Sequence, residues 1–333
     1  MTSSIYIAVN EESQIGSARR LVVEICQRIG GDETFCGKVA IVVTEMARNL
    51  VRHGQGGEVL IREVATVTSS GLELVALDHG PGMRNIAECL RDGFSTAGTA
   101  GTGFGSIKRL SDRFEIYSQP GGGTVVWARL CASDTYFPSP VFESSGISVA
   151  VEREEVCGDA WEVIETAGVL RAIVVDGLGH GPFAEEAARE AVAVFRSQTT
   201  PGVGSTLKLV DQALTKTRGA AGAIVELCPA KGQLTAAGVG NISMRLLNNG
   251  ASKSFGCDNG TLGTGIPRIR EVTHPWVPGS VLVMHSDGVK TQWNHDDYPG
   301  LARRHPGLVT ALLYRDFRRE RDDVTVMATR HSL

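Results

Sequence analysis

The sequence predicts two successive α+β domains, on three observations. Strand and helix patterns close into a first unit of about 130 residues, a common domain size. A stretch with two prolines and no period follows, Ser133-Asp134-Thr135-Tyr136-Phe137-Pro138-Ser139-Pro140, and reads as a linker. Beyond it, apolar strand runs alternate with helical patterns, which points to sheets covered by helices. The predicted boundaries are 1–132 for the first domain, 133–142 for the linker and 143–333 for the second. A chain of 333 residues, 42% hydrophobic and 21% charged, is long enough for two separate cores.

Residues 3–9 read as a short strand, and 18–28 as a helix with Leu21, Val22, Ile25 and Ile29 in register until Gly30-Gly31 stops it. A second helix over 33–53 turns Val39, Val42, Val43, Met46 and Leu50 inward, with Gly54 placed to end it. Strands over 58–67 and 72–77 flank the hairpin chemistry of Ser69-Ser70-Gly71. A glycine-rich region between Gly93 and Gly105 leads to a short helical pattern at 107–110. Strands at 114–117 and 124–130, joined by Gly121-Gly122-Gly123, close the unit. In the second half, pattern resumes at Gly146. Strand runs lie at 170–175, 222–227, 234–239, 242–247, 280–285 and 324–328, with helical patterns at 184–195, 205–216 and 308–317.

A formal net charge of −4 gives no electrostatic footprint for nucleic acid or anionic membrane, so proteins and nucleotides are the expected partners. The seven cysteines are odd in number and form no C-x-x-C pair, which argues for reduced thiols rather than a zinc knuckle or disulfide framework. Residues 1–9 lack a basic segment with a long apolar run, and no stretch nears the roughly 20 apolar residues of a membrane span. A cytoplasmic chain is expected.

Glu45 and Asn49 are one helical turn apart on the second helix, and His53 continues that face. Taken alone the pair also fits a solvated helix face. Asp78-His79-Gly80-Pro81-Gly82 follows an apolar strand, placing a carboxylate beside a turn that lets a ligand approach the backbone; Asp78 could equally cap its own loop. Gly98-Thr99-Ala100-Gly101-Thr102-Gly103-Phe104-Gly105 then leads into a helix, as phosphate-binding loops do. In this order and spacing, Glu45-Met46-Ala47-Arg48-Asn49, Asp78-x-Gly80-x-Gly82 and Gly101-x-Gly103-x-Gly105 resemble the N, G1 and G2 boxes of the GHKL ATPase family. Asp92-Gly93-Phe94-Ser95-Thr96 and 108–116 are similar to the stressosome switch kinases within it. The resemblance implies a Bergerat-type α/β sandwich binding ATP and Mg²⁺. Asn49 would hold Mg²⁺ and Asp78 would accept from the adenine amino group. Gly80 and Gly82 would shape the turn, and Gly101, Gly103 and Gly105 would form the phosphate lid. Glu45 would be the base for transfer to serine or threonine.

Asp176 ends an apolar strand and begins Asp176-Gly177-Leu178-Gly179-His180-Gly181; Asp287 likewise ends 281–284. Asp159 follows Cys157-Gly158, and Asp322-Asp323 precedes the last strand. Any one Asp-Gly is an ordinary turn. Four carboxylate positions at strand edges favour a hard cation, Mg²⁺ or Mn²⁺, over zinc. The set resembles, in family order, the metal-dependent phosphatases called PP2C, in their bacterial sporulation and stress-response branch. This implies a β-sandwich flanked by helices with two Mg²⁺ or Mn²⁺ ions held by Asp159, Asp176, the Gly177 carbonyl, Asp287 and Asp322, Asp323 being one alignment step away. Arg153 does not match the family spacing of a phosphate-gripping arginine, and His180 and His285 read as turn or packing residues. Together the resemblances imply opposed kinase and phosphatase activities on a STAS-domain regulator, with a sigma factor or downstream phosphatase as further partners and a homodimer as one assembly. The rival reading is an ATP-binding module that sequesters a sigma factor or other partner.

Overall fold

The computed structural model describes residues 3–65, 70–90, 103–132, 141–198, 202–248 and 251–332. Its chain divides into two units, Thr2–Phe137 and Pro138–Leu333. In the first, β1 (Ile5–Val9) leads to α1 (Glu12–Arg28), which starts ahead of its apolar period because Gln14 Oε1 accepts from the Glu11 amide at 3.1 Å. The start of α2 (Glu33–His53) is fixed by Asp32, whose carboxylate accepts from the Phe35 amide at 2.7 Å. Gly54 ends α2 at φ −84°, a conformation open to any residue; glycine is required instead because a Cβ would meet the Asp78 Cβ at 2.8 Å. There follow β2 (Gly57–Ala65), β3 (Ser70–Asp78), α3 (Ile86–Cys89), α4 (Gly103–Leu110), β4 (Arg113–Ser118) and β5 (Thr124–Cys131). α3 has no counterpart in the sequence reading, being a single turn capped by Asn85.

The strands form one antiparallel sheet, β1-β2-β3-β5-β4. The helices cover one face, packing on Val59, Ile61, Leu72, Leu74, Val126 and Ala128. On the other face Arg62, Glu73 and Arg129 are register neighbours across β2, β3 and β5. Glu73 is buried and accepts from Arg62 Nε at 3.2 Å and Arg129 Nε at 3.0 Å, so two guanidinium groups compensate one buried carboxylate.

The second unit comprises β6 (Phe142–Val149), β7 (Asp159–Thr166), β8 (Val169–Gly177), α5 (Pro182–Ser197), α6 (Val203–Ala213), β9 (Ala220–Cys228), β10 (Gln233–Val239), β11 (Ser243–Asn248), β12 (Ala251–Phe255), β13 (Val272–Pro275), β14 (Val281–His285), α7 (Pro306–Phe317) and β15 (Val324–His331). Two antiparallel sheets result, β13-β10-β9-β8-β7 and β12-β11-β14-β15-β6. Val174, Val225 and Ala236 of the first interlock with Met244, Met284 and Met327 of the second. α5 and α6 cover Ile173, Val175 and Ile224 on the first sheet's outer face, while α7 packs on β6 and β15. This is the predicted α+β pair of domains: an α/β sandwich, then a β-sandwich flanked by helices. β6 opens at Phe142, a residue assigned to the linker; 133–140 lie outside the described residues. Among the described residues no helix is long and apolar enough to cross a membrane.

Candidate functional site

The first candidate site lies where α2, the end of β3 and the start of α4 meet. Gly103 opens α4 against α2: a Cβ there would stand 3.3 Å from Glu45 Oε2 and 3.4 Å from Asn49 Oδ1. Gly103 and Gly105, expected in the loop ahead of a helix, are therefore inside its first turn, and burial of Ile107 in the helical core holds them there. Gly101, with Gly93 and Gly98, lies outside the described residues. Glu45 Oε1 accepts from Arg48 Nη1 at 2.7 Å. Asn49 Nδ2 is buried and has no hydrogen-bond partner among the described residues, an orphaned donor of the kind that a bound ligand satisfies.

Asp78 Oδ1 accepts from the Gly80 amide at 2.9 Å and the Thr124 amide at 3.0 Å. The carboxylate thus caps its own turn, the alternative left open by the sequence, while standing beside α2. Both glycines of the turn are sterically required. A Cβ on Gly80 would sit 2.9 Å from the Gly54 Cα; one on Gly82, at φ +66°, would overlap the Gln119 carbonyl oxygen. These contacts bring β3, α2 and the 119–123 turn to one place.

In the second unit, Asp159 and Asp176 are directly opposed across β7 and β8, where like charges are destabilising. Burial first, then the Asp176 charge, pushes Asp159 well above the ordinary carboxylate range. Burial, then Asp287 and Asp322, pushes Asp176 up to about 8. Asp322 is raised by burial and by Asp287, with which it shares a hydrogen bond. The charges that act most strongly on these three carboxyls are those of neighbouring aspartates. The structure thus brings Asp159, Asp176, Asp287 and Asp322 into one acidic cluster. Gly177, next to it, is packed so that a Cβ would overlap the Ala184 carbonyl oxygen. Asp323 is used differently: its two oxygens accept from the Val151 and Gly158 amides, each at 2.7 Å. That separates Asp322 from Asp323. Among the described residues no three His, Cys, Asp or Glu side chains already stand in a ligating array. An all-oxygen acidic donor set has the chemistry that suits a hard divalent ion.

Two supporting residues escaped the sequence reading. Ser286 donates its hydroxyl to Asp159 Oδ2 at 2.6 Å and accepts from the Thr325 amide at 3.0 Å. Asn241 donates to Asp287 Oδ2 at 2.7 Å. The Gly240-Asn241 pair between two strands was the sequence signal for Asn241, and the position of Ser286 directly before Asp287 was the signal for Ser286. His285 is a packing residue: burial lowers it to about 4, and its Nδ1 lies 2.8 Å from the Ser286 carbonyl. His180 is exposed, 2.6 Å from Glu154 Oε1.

The raised carboxyls set a pH dependence for metal-free protein. An unfolded aspartate releases its proton near about 3.9, whereas folded Asp176 holds it to about 8. Between those values the folded state binds more protons, so stability falls as pH rises. In chelator, the unfolding midpoint is expected to drop from pH 5 to pH 8, and Mn²⁺ to reverse the drop; thermal melts of the full chain at both pH values check this.

Comparison with known proteins gives two family matches. The histidine kinase-like ATPase domain matches residues 8–130, and stage II sporulation protein E (SpoIIE) matches residues 166–332. The serine/threonine-protein kinase RsbT of Bacillus subtilis (strain 168) is 32% identical over 128 residues, covering 38% of this chain and 96% of RsbT. The phosphoserine phosphatase RsbX of the same organism is 26% identical over 140 residues, 41% of this chain and 70% of RsbX. A crystal structure of RsbX with magnesium shares the fold, with a TM-score of 0.50 at 22% identity over 59% of this chain and 98% of that one. A solved structure from a study of the bacterial stressosome as a modular system controlling secondary-messenger signalling aligns with a TM-score of 0.53 at 31% identity, over 57% of this chain and 99% of that one.

Proposed function

We propose, for a chain that belongs to the histidine kinase-like ATPase family over residues 8–130 and to the stage II sporulation protein E family over residues 166–332, a bifunctional partner-switching enzyme. Its first domain transfers phosphate from ATP to serine or threonine of a STAS-domain regulator, and its second removes phosphate from the same protein or its neighbour. The supporting observation is that one chain carries both the Glu45–Asn49 face closed by Gly103 and the cluster of four aspartates.

In the first domain Asn49 would hold Mg²⁺ against the phosphates, Asp78 would bind the adenine amino group with its turn fixed by Gly80 and Gly82, and Gly101, Gly103 and Gly105 would line the triphosphate. Glu45, released from Arg48, would take the proton of the attacking hydroxyl. In the second, Asp159, Asp176, the Gly177 carbonyl, Asp287 and Asp322 would hold two Mg²⁺ or Mn²⁺ ions. When bound, such ions supply the Lewis acidity that activates water for in-line attack on phosphoserine. Ser286 and Asn241 orient the carboxylates of Asp159 and Asp287 through the hydrogen bonds described.

The test is incorporation of label from ATP and Mg²⁺ into the STAS-domain protein encoded nearest this gene, followed by its release on adding Mn²⁺. Label that appears and is then released supports both activities on one substrate. Stoichiometric binding of the partner with no label would support sequestration instead.

A further inference from the structure

The loop that leaves β14 begins with Ser286 and Asp287 and is fastened to β11 near its far end. Met244 and Leu246 of β11 point into the sandwich core, so Arg245 between them faces outward, opposite Val283. There Nη1 donates to the Trp293 carbonyl at 2.6 Å and Nη2 to the Thr291 carbonyl at 3.0 Å. The guanidinium carbon also lies 4.1 Å from the centroid of the buried Trp293 ring. The near end of the loop is tied to the same ring. Trp293 Nε1 donates to His285 Nε2 at 3.5 Å, and His285 Nδ1 donates to the Ser286 carbonyl at 2.8 Å, two bonds that the Nδ1–H tautomer satisfies together. Asp287 therefore sits in a loop closed between His285 and Trp293 and pinned to β11 by Arg245.

Two observations set Arg245 apart from an arginine that only fastens a surface. First, it is half of a double hold on one segment: Asn241, in the turn that leads into β11, donates to Asp287 Oδ2 at 2.7 Å, and Arg245 takes two main-chain carbonyls of the loop that carries Asp287. One grips the carboxylate, the other the backbone beneath it. Second, Arg245 Nε is buried without a hydrogen-bond partner among the described residues, and an unmet buried donor costs stability. A side chain retained against such a cost is expected where function requires it.

Resting on the phosphatase reading above, we infer that Arg245 is a positioning residue for the proposed cation site, acting through the Trp293 loop to hold Asp287 in place for Mg²⁺ or Mn²⁺. No chemical step is added; the clamp presets a ligand, as partners of metal ligands do.

Mn²⁺ binding to the full chain without nucleotide, read from the electron paramagnetic resonance signal of the free ion, tests this independently of turnover. Arg245→Met, which keeps a long side chain and loses its donors, is expected to weaken Mn²⁺ binding roughly ten- to hundredfold, the scale of such partners. The Mn²⁺ concentration for half-maximal hydrolysis of p-nitrophenyl phosphate should rise by the same factor, while kcat at saturating Mn²⁺ returns close to the wild-type value. Trp293→Phe, which keeps the ring and removes Nε1–H, should shift binding in the same direction by less. In an Asp287→Asn background Arg245→Met should add no further loss, because its effect passes through that carboxylate; general damage to the fold would add its full cost there. Wild-type affinity in Arg245→Met, or in Trp293→Phe if the first variant does not fold, overturns the assignment, as does an undiminished further loss in the Asp287→Asn background. A wild type that binds no Mn²⁺ overturns the metal-site reading, and this inference with it.

Discussion

Asp176→Ala is expected to slow phosphate release from a phosphoserine protein by more than roughly a hundredfold, since even outer-shell partners of metal ligands are worth about 10–100-fold. ATP-dependent labelling by the same variant should stay at the wild-type rate, because Asp176 ends a strand of the second unit and the proposed base, Glu45, lies in the first. Stability should move oppositely to activity. Asp176 faces Asp159 across β7 and β8, and its proton is held to about 8 by burial and by Asp287 and Asp322. Above that pH in chelator the wild type carries buried like charges that the variant lacks, so the variant should melt at the higher temperature. Mn²⁺ should then stabilise the wild type more than the variant. A residue that only supported the fold would lower stability together with activity. Phosphate release and melts with and without Mn²⁺ separate the two, and retained turnover removes Asp176 from the proposed metal site.

What the sequence made legible follows from where each residue's role is decided. Strands β8, β9, β10 and β14 are covered on both faces and read as apolar runs. The four strands left unread in the second unit, β6, β7, β12 and β13, are the edges of its two sheets, where part of the strand faces solvent and the run is broken by polar residues such as Ser252 and Lys253. The bounds of α2 were legible because its cap and its apolar period are local. The four aspartates were legible as strand-end residues. Their mutual opposition was not, because it depends on the β7–β8 register. That Asp323 is engaged by the amides of Val151 and Gly158 could not be read either, because both lie far away in sequence.

Asn49→Ala should abolish labelling of the partner by roughly a hundred- to thousandfold, the scale of losing a positioned polar group that stabilises transferring charge, while leaving phosphate release intact. It is a cleaner test than Asp78→Asn. Asp78 Oδ1 accepts from the Gly80 and Thr124 amides, so a change there confounds nucleotide binding with the geometry of the turn. Asn49 has no such debt to the fold: its Nδ2 is buried without a hydrogen-bond partner among the described residues. Asparagine inside a helix also costs about 0.5 kcal/mol relative to alanine. The nucleotide-free variant should therefore be at least as stable as the wild type in urea. Added Mg²⁺ and ATP should raise the unfolding midpoint of the wild type and leave that of the variant unmoved. Lost labelling with retained partner binding would place Asn49 in phosphoryl transfer. Wild-type labelling by the variant would show that the α2 face is a solvated surface after all, and the kinase site would have to be sought elsewhere.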